Sequence, residues 1–401
     1  MATEGRSAEP PSAPAAEAIG SAGFVHLVAR ADGDALAASG LLARALADRG
    51  TPFQVSVGRT VADRTDRVRD REAAADDVTV AIGAVDADAT RLDADDRPAT
   101  LAALEAVRDL EAAPDHGLAL AGLVAAGVEP GAGESEWVLE TARTQGLVDR
   151  RPGVAVPTAD PVDGLAHSTR LRAPWSGDLS ATRTALEGLG VDLAAPDAFD
   201  ADAHRAIGSA VALDVVGDDD AVPAAAETVQ RVLRPYAMAA PDAPFETVGG
   251  YADVLEATAR AEPGTGAALA MGHDAREPAL DAWREYGRRA HEALEAGSTG
   301  RYDGLFVVDI DDGPVEAVAR IAAAFRSPEA TVLAVADGEG EAAIATRGNE
   351  PLGATVEAVA RELEDAGIEG VAYDGGRRRG YLRYDPGVDE STLIQLVRDR
   401  R

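Results

Sequence analysis

The sequence predicts an α/β protein with two lobes. Apolar, strand-like runs alternate with helical patterns near the start of the chain, and helical spacing dominates from residue 180 to 300. The alternation then returns and continues to the end, and such alternation is typical of parallel sheets covered by helices. We therefore expect a disordered tail over residues 1–22, an α/β domain with a parallel sheet over 23–200, a helical connector over 201–300 and a smaller α/β domain over 301–401.

The elements of the first lobe follow from its apolar runs. Phe24–Ala29 and Val78–Val85 are largely apolar stretches of the kind found in buried strands, and Phe53–Val57 alternates apolar with polar residues. A run of small residues with helical spacing, Gly33–Asp48, follows the first strand and stops near a glycine. Arg59–Glu72 interleaves both charge signs, which favours a solvated helix that pairs its own charges.

The second lobe is predicted from patterns that begin after a long helix ending at Gly297. "LFVVDI" is typical of a buried strand, and "VEAVARIAAAF" has helical spacing. "TVLAVAD" and "EAAIATR" flank Gly338 and Gly340, which indicates a hairpin. After a further helix, "GVAYD" and "RGYLRYD" predict two more strands, and "DESTLIQLVRDR" predicts a closing helix.

The charge of the chain is extreme. All 38 basic residues are arginine, 70 residues are acidic, the formal net charge is −32 and cysteine is absent. The lack of cysteine excludes disulfides and thiolate metal sites. The acidic, lysine-free composition resembles that of proteins from a salt-loaded halophile cytosol, where molar salt shortens the Debye length to about 3 Å. Net charge therefore does not by itself exclude a nucleic-acid partner.

The chain shows no membrane or export signal. No apolar run reaches the ~18 residues of a membrane span. The first residues, "MATEGRSAEPPSAPAAEAIGSAG", lack the basic start and apolar segment of a signal peptide. We expect a cytoplasmic protein with no membrane partner.

Two carboxylates stand at the mouth of the first strand-to-helix turn. Asp32 and Asp34 flank Gly33 directly after the predicted strand, where ligands of open α/β sheets bind. Carboxylate oxygens suit Mg²⁺ or Mn²⁺, although two carboxylates do not complete a site. The alternative is structural: Asp34 caps the following helix and Asp32 is a turn residue.

Three stretches together resemble the DHH phosphoesterase superfamily. "DGDALAAS" is similar to its first motif, "DGLAHSTRLRAPWSGDLSATRTALEGLGVDL" to a stretch of archaeal RecJ-like proteins, and "YDGGRRRGYLRY" to the Gly-Gly element of its C-terminal domain. The superfamily includes RecJ-type exonucleases, oligonucleotide phosphodiesterases and the DHH-related subunit of the eukaryotic replicative helicase. The resemblance implies a DHH-like first lobe, a substrate-binding C-terminal lobe and, in active members, a manganese or magnesium site that includes Asp32 and Asp34.

The catalytic motifs of the superfamily are degenerate in this chain. Ala81 or Gly83 stands where the second motif has a metal-binding Asp, and the Asp-His-His motif is missing. Arg30 lies two residues before Asp32, where a guanidinium could neutralise the carboxylates in place of a metal. Acids that could substitute for the missing ligands follow the third predicted strand: Asp86, Asp88, Asp93, Asp95 and Asp96.

Two groups of residues are candidates for nucleic-acid binding. The RecJ-like stretch contains His167, Ser168 and Arg170, which the resemblance raises above ordinary loop or core residues. The second group, in the Gly-Gly element, consists of Gly375, Gly376, Arg377 and Arg379. In a strand, the side chains of Arg377 and Arg379 would face one way and that of Arg378 the other. Tyr381 and Tyr384 add rings for base stacking. The alternative is an edge strand that charge protects from pairing.

Three hypotheses about function follow. The preferred one is a RecJ-like protein of DNA replication or repair that binds single-stranded DNA or RNA with an eroded nuclease site, and therefore has no cofactor. The second is an active exonuclease or phosphodiesterase that needs Mn²⁺ or Mg²⁺. The third is a regulatory partner of an intact RecJ-like paralogue. By resemblance to archaeal relatives, the GINS complex is a candidate partner.

Overall fold

The computed structural model describes residues 13–71, 74–92 and 97–400, and it confirms the α/β class. The helices are α1 Ala13–Ser21, α2 Gly33–Arg49, α3 Val61–Arg69, α4 Ala99–Asp109, α5 His116–Ala125, α6 Glu136–Thr144, α7 Pro161–His167, α8 Leu179–Glu187, α9 Ala201–Gly217, α10 Pro223–Val232, α11 Val248–Ala261, α12 Pro263–Ala270, α13 Arg276–Ala296, α14 Val315–Phe325, α15 Gly353–Asp365 and α16 Glu390–Asp399. The strands are β1 Phe24–Arg30, β2 Phe53–Gly58, β3 Asp77–Ile82, β4 Thr90–Arg91, β5 Val148–Arg150, β6 Tyr236–Met238, β7 Ser298–Tyr302, β8 Leu305–Asp309, β9 Thr331–Ala336, β10 Glu341–Thr346, β11 Ala372–Gly375 and β12 Arg379–Arg383.

The first lobe is built on a parallel sheet with the strand order β2-β1-β3-β4. β1 pairs with both β2 and β3 along nearly its full length, so it is a central strand, and its five inner residues are buried. Parallel strands are covered on both faces, which explains the continuous apolar run of β1. The carboxyl ends of β1, β2 and β3 meet at one edge, directly before α2 and α3.

Helix α2 is surrounded by other helices. It packs against α4, α5, α11 and α12, and most of its residues are buried. The small side chains of α2 are therefore required by packing. A Cβ atom at Gly40 would lie 2.5 Å from the carbonyl oxygen of Ala270 in α12, which is closer than two such atoms approach.

The second lobe is a six-stranded mixed sheet with the order β11-β12-β10-β9-β8-β7. β8 and β9 are parallel, and the predicted hairpin of β9 and β10 is antiparallel, as are β11 and β12. Helix α14 covers one face of this sheet and joins the core of the first lobe, whereas α15 and α16 cover the other face.

The middle of the chain is helical, as its spacing predicts, and its helices pack against elements of both lobes. Helix α11 packs against α2 and α5, and α13 packs against α11 and α14. These helices therefore lie in the core that joins the two lobes.

Of the disordered tail predicted over 1–22, residues 1–12 lie outside the described residues, and residues 13–21 depart from the prediction. Ala13–Ser21 form helix α1, in which Ala15 and Ile19 are buried and which packs against α4. The alternating prolines and small residues before this helix suggested disorder, but an Ala-rich stretch with one Ile is sufficient to cover a neighbouring helix.

Among the described residues, no helix is both long and apolar enough to cross a bilayer.

Candidate functional site: an arginine-filled carboxylate pair

Asp32 lies at the carboxyl end of β1 and caps α2. Its Oδ1 accepts a hydrogen bond from the Ala35 amide at 2.8 Å, and its Oδ2 accepts one from Arg30 Nε at 2.5 Å. Burial alone would raise the pKa of Asp32, but the guanidinium groups of Arg30 and Arg379 hold it well below its usual range. Asp32 is therefore a buried carboxylate whose charge is balanced by arginine, as the position of Arg30 in the sequence suggests.

Asp34 binds the amino end of a different helix from the one that the sequence indicates. Its carboxylate accepts hydrogen bonds from the Ala99 amide at 2.8 Å, the Thr100 amide at 2.9 Å and Thr100 Oγ1 at 2.6 Å, all in the first turn of α4. Burial and the charge of Asp32 raise the pKa of Asp34 to about 6, against the effect of these hydrogen bonds. Asp34 thus joins α2 to α4 and does not cap its own helix.

A third carboxylate, Glu256 of α11, completes the cluster and is absent from the predicted site. Its Oε2 accepts the Gly33 amide at 2.9 Å, and its Oε1 lies 2.8 Å from Arg260. Arg379 of the second lobe also pairs with Glu256 and lies 4.0 Å from Asp32. Burial favours the neutral form of Glu256, but the surrounding arginines, Arg260 first, lower its pKa.

The side chains of this cluster do not fit a metal site. Each carboxylate oxygen of Asp32 and Asp34 already accepts a hydrogen bond, and guanidinium groups lie against Asp32 and Glu256. Within the described ranges, no group of three or more His, Cys, Asp or Glu side chains is arranged to hold a metal ion. Asp86 and Asp88 are exposed, and Asp93, Asp95 and Asp96 lie outside the described residues.

Glycine and arginine occupy the end of β3, where the superfamily's second motif has its Asp. Gly83 has φ +111°, and a Cβ atom there would lie 3.1 Å from the Arg30 Cβ atom and 3.7 Å from Arg64 Nε. Arg64 is fully buried and donates to Ala84 O at 2.9 Å, Gly58 O at 3.1 Å and Asp374 Oδ1 at 2.6 Å. It joins two strand ends of the first lobe to the second lobe, so the prediction of a solvated helix that pairs its own charges is wrong at this residue.

A cleft of about 210 Å³ opens between the lobes above the carboxylate pair. Arg377, Arg378 and Arg379 all line it. They do not alternate between two faces as expected of a strand, because Gly376 and Arg379 close the turn between β11 and β12 through a 2.8 Å backbone hydrogen bond. The turn brings the three side chains to the same cleft.

A second cleft, of about 320 Å³, continues from the first. The two share Ala126, Gly127, Arg378 and Arg379 in their walls. Together they are lined by ten arginines, which are Arg30, Arg97, Arg170, Arg231, Arg260, Arg320, Arg347, Arg377, Arg378 and Arg379. They are lined by seven acids, which are Asp32, Asp34, Glu227, Asp253, Glu256, Glu316 and Asp374. The groove between the lobes is therefore positively charged in a chain whose net charge is −32.

The RecJ-like stretch contributes only one of its three candidate residues to this groove. His167 is buried, and its Nδ1 lies 3.1 Å from Asp163 Oδ1. Ser168 is buried and donates to Asp253 Oδ2 at 2.9 Å. Both side chains are bound within the protein and do not face the groove, because Asp163 and Asp253 take up their polar atoms. Arg170 lines the second cleft.

The aromatic residues and one glycine of the C-terminal element are also structural. Tyr381 and Tyr384 are buried, and Arg59 stacks on the Tyr381 ring at 3.9 Å, so neither ring is exposed for base stacking. Gly375 lies against Gly353, where a Cβ atom would approach within 2.8 Å. Gly376 lines the first cleft.

Comparison with known proteins gives a close relative and a distant structural neighbour. The chain is 47% identical over 406 residues to the uncharacterized protein rrnAC1427 of Haloarcula marismortui, and the match covers 100% of both chains. The family defined by the C-terminal domain of that protein matches residues 297–399. The fold is similar to that of CDC45 from Entamoeba histolytica, with a TM-score of 0.58 and 8% identity over 94% of this chain and 95% of that chain.

Exonuclease RecJ bound to manganese aligns with a TM-score of 0.45 and 13% identity over 98% of this chain and 94% of that chain. The structural likenesses concern the fold alone, because their sequence identities are low. The sequence match, in contrast, spans the whole chain. The chain therefore belongs to the same family as rrnAC1427 of Haloarcula marismortui, and its fold is similar to that of CDC45.

Proposed function

We propose that this protein binds single-stranded nucleic acid in the groove between its lobes and does not cleave it. The observation that carries the proposal is the charge of the groove. Ten arginines and seven acids line the two connected clefts, whereas acids outnumber arginines 70 to 38 over the whole chain. Although the chain as a whole is strongly acidic, arginine side chains are concentrated in this groove. Their guanidinium groups bind phosphate through a rigid fork of donors.

The arginines at the mouth of the groove are available to a ligand. Arg377 and Arg378 are exposed, and no carboxylate among the described residues lies within 4.0 Å of either guanidinium. Arg379, in contrast, is engaged with Asp32 and Glu256. The first two residues are therefore the better candidates for phosphate contacts, and Arg379 is better described as a contact that holds the lobes together.

The size of the clefts favours a single strand. The volume of about 210 Å³ lies below the ~300–1,000 Å³ range of small-ligand pockets, and that of about 320 Å³ lies at its lower end. A duplex is much wider than such a cleft, whereas a single strand can thread its phosphates past successive arginines.

The absence of a cleavage step is proposed from the carboxylate cluster. A two-metal site stabilises the attacking and leaving oxygens together and needs several ligands from the protein. Here the oxygens of Asp32 and Asp34 are taken by amide, hydroxyl and guanidinium donors. Arginine provides the positive charge that a cation would otherwise supply, but it cannot activate a water molecule as a metal ion does.

Fluorescence anisotropy with a labelled strand of about 20 nucleotides tests the binding. The assay is run at about 2 M KCl with wild type, the Arg377→Ala/Arg378→Ala double variant and the control Arg183→Ala/Arg398→Ala. The control removes two exposed arginines outside the clefts that have no ion pair among the described residues. We expect the first variant to bind DNA and RNA strands at least tenfold more weakly, and the control to bind like wild type.

The same samples, incubated with Mn²⁺, test for hydrolysis. We expect intact strands at every time point. Cleavage by purified wild type that EDTA abolishes would show that an active metal site forms, and the non-catalytic part of the proposal would be wrong. Equal weakening in both double variants would assign the binding to bulk charge and not to the groove.

A role in a DNA replication or repair complex is part of this proposal. It is supported by the RecJ-like fold shared with CDC45. The GINS complex and an intact RecJ-like paralogue are the candidate partners, and co-purification from the native host at high salt tests both. Recovery of the paralogue without any strand binding by the isolated protein would favour a regulatory function.

A further inference from the structure

Arg170 differs from the other arginines that have a buried nitrogen without a hydrogen-bond partner. Six arginines of the described residues have such a nitrogen: Arg71, Arg151, Arg170, Arg172, Arg260 and Arg326. Five of them hold a carboxylate through another guanidinium nitrogen. Among the residues that the structure describes, the guanidinium of Arg170 has neither a hydrogen bond nor a carboxylate within 4.0 Å. This positive charge therefore lacks an anion.

The backbone around Arg170 is fixed. Its amide donates to Ser168 Oγ at 3.3 Å, and the Ser168 carbonyl accepts a hydrogen bond from His291 Nε2 at 3.0 Å. Ser168 and Thr169 both donate to Asp253. A ligand at Arg170 would meet a side chain whose attachment is already ordered, so little entropy is lost on binding.

The surroundings of Arg170 are positive. Arg231 is exposed, lines the second cleft together with Arg170, and has no ion pair among the described residues. Arg320 is bound to Thr169 at 2.7 and 3.0 Å. Burial lowers the pKa of Arg170; Asp253 and Glu256 raise it, and Arg320 and Arg231 lower it further.

The nearby acids do not offer a partner. Asp253 accepts hydrogen bonds from Ser168, Thr169 and Trp283. Glu256 is engaged by Arg260, Arg379 and the Gly33 amide. Their oxygens are therefore directed to other donors, and the cleft can accept one more negative group.

We propose that a phosphate group binds between Arg170 and Arg231 in the second cleft. The inference rests on the proposed function and adds to it a second attachment point for the strand, in the cleft that shares Arg378 and Arg379 with the first. A guanidinium binds phosphate through two parallel hydrogen bonds. Because the site is partly buried, molar salt screens it less than it screens exposed arginines.

Strand binding by Arg170→Gln, Arg231→Gln and the control Arg183→Gln tests the subsite. We expect about tenfold weaker binding in each of the first two variants, and a slope of log K against log [KCl] smaller by about one, as for the loss of one phosphate contact. The control is expected to match wild type. Because Arg231 is exposed, its variant keeps the test decisive if Arg170→Gln folds poorly.

Phosphorus NMR of inorganic phosphate separates a site for strands from a site for small phosphorylated molecules. Broadening of the phosphate resonance by wild type that disappears with Arg231→Gln supports the subsite. It does so even if wild type binds no strand, and the missing strand binding then overturns only the proposed function. Strand binding that Arg377→Ala/Arg378→Ala weakens, but that Arg170→Gln and Arg231→Gln leave unchanged, overturns the subsite alone. Equal loss in the Arg183→Gln control also overturns it.

Discussion

At the scale of single residues, arginine supplies the positive charge that a metal ion supplies in the carboxylate clusters of metal enzymes. Arg30 and Arg379 lie against Asp32, and Arg260 lies against Glu256. Leaving these buried carboxylates without a partner would cost several kcal/mol, so the guanidinium groups allow the cluster to persist. Asp32 holds the start of α2 and contacts Arg379 of the second lobe, and Asp34 holds the start of α4.

Asp34→Ala tests this structural role. Two backbone amides and a hydroxyl at the start of α4 would lose their acceptor. Because buried donors without acceptors cost about 1–3 kcal/mol each, we expect the free energy of unfolding to fall by about 3 kcal/mol. Urea denaturation at constant KCl measures the change.

The control is Asp88→Ala, which removes an exposed aspartate from the segment after β3. It is expected to unfold within about 0.5 kcal/mol of wild type. A change as small in Asp34→Ala would mean that the three hydrogen bonds do not stabilise the fold. If the free energy of unfolding falls as expected, an Asp34 variant is also a poor control in nuclease assays. Its lower stability would be mistaken for a loss of catalysis.

At the scale of elements, the ends of the strands in the first sheet are fastened to the second lobe. Arg64 of α3 binds the ends of β2 and β3 and Asp374 of β11. Arg59 binds Glu316 of α14 at 3.0 Å and Glu341 of β10 at 2.9 Å. These contacts fix how far apart the lobes lie, and hence the width of the groove.

Arg64→Met is expected to weaken the junction between the lobes. The substitution leaves Asp374 and two buried carbonyl oxygens without their donor, and the loss of one partner of a buried ion pair costs about 3–5 kcal/mol. We expect the urea midpoint to fall accordingly, and hydrogen exchange to increase at the ends of β2, β3 and β11. Arg67→Met, an exposed change on the same helix, is the matched control. Equal exchange in the two variants would contradict the role given to Arg64.

At the scale of the whole molecule, the charge of −32 opposes folding wherever it is not screened. The Debye length is about 10 Å at 0.1 M salt and about 3 Å at 1 M, so the repulsion among exposed carboxylates is nearly removed in molar salt. The ion pairs inside the lobe junction are buried and lose less of their attraction. Added salt should therefore have a net stabilising effect.

Thermal unfolding as a function of KCl measures this balance. We expect Tm to rise steeply between about 0.1 and 1 M KCl and more slowly above that range. A sucrose series at low salt separates charge screening from general solvent exclusion, because sucrose leaves the repulsion in place. A Tm that does not change with KCl would show that the acidic surface does not destabilise the fold.

Much of the fold could be predicted from the sequence because its signals are local. The apolar run of β1, the small residues of α2 and the glycines between β9 and β10 each report the environment of their own segment. Helix α1 was missed because its signal is weak: the stretch is Ala-rich, and the elements it packs against, α4, β3 and β4, are distant in sequence. The domain boundaries drawn at residues 200 and 300 stay a prediction.

The sequence by itself determined the α/β class, the position of the carboxylate pair at the end of β1 and the presence of Arg30 beside Asp32. The tertiary structure decided which residues face the groove. Glu256 reaches Gly33, Arg64 reaches Asp374, and Arg170 keeps a buried nitrogen that has no hydrogen-bond partner among the described residues. Hydrophobic periodicity predicts which face of an element is buried. It does not predict which charged side chains meet across elements, because that depends on how the lobes pack.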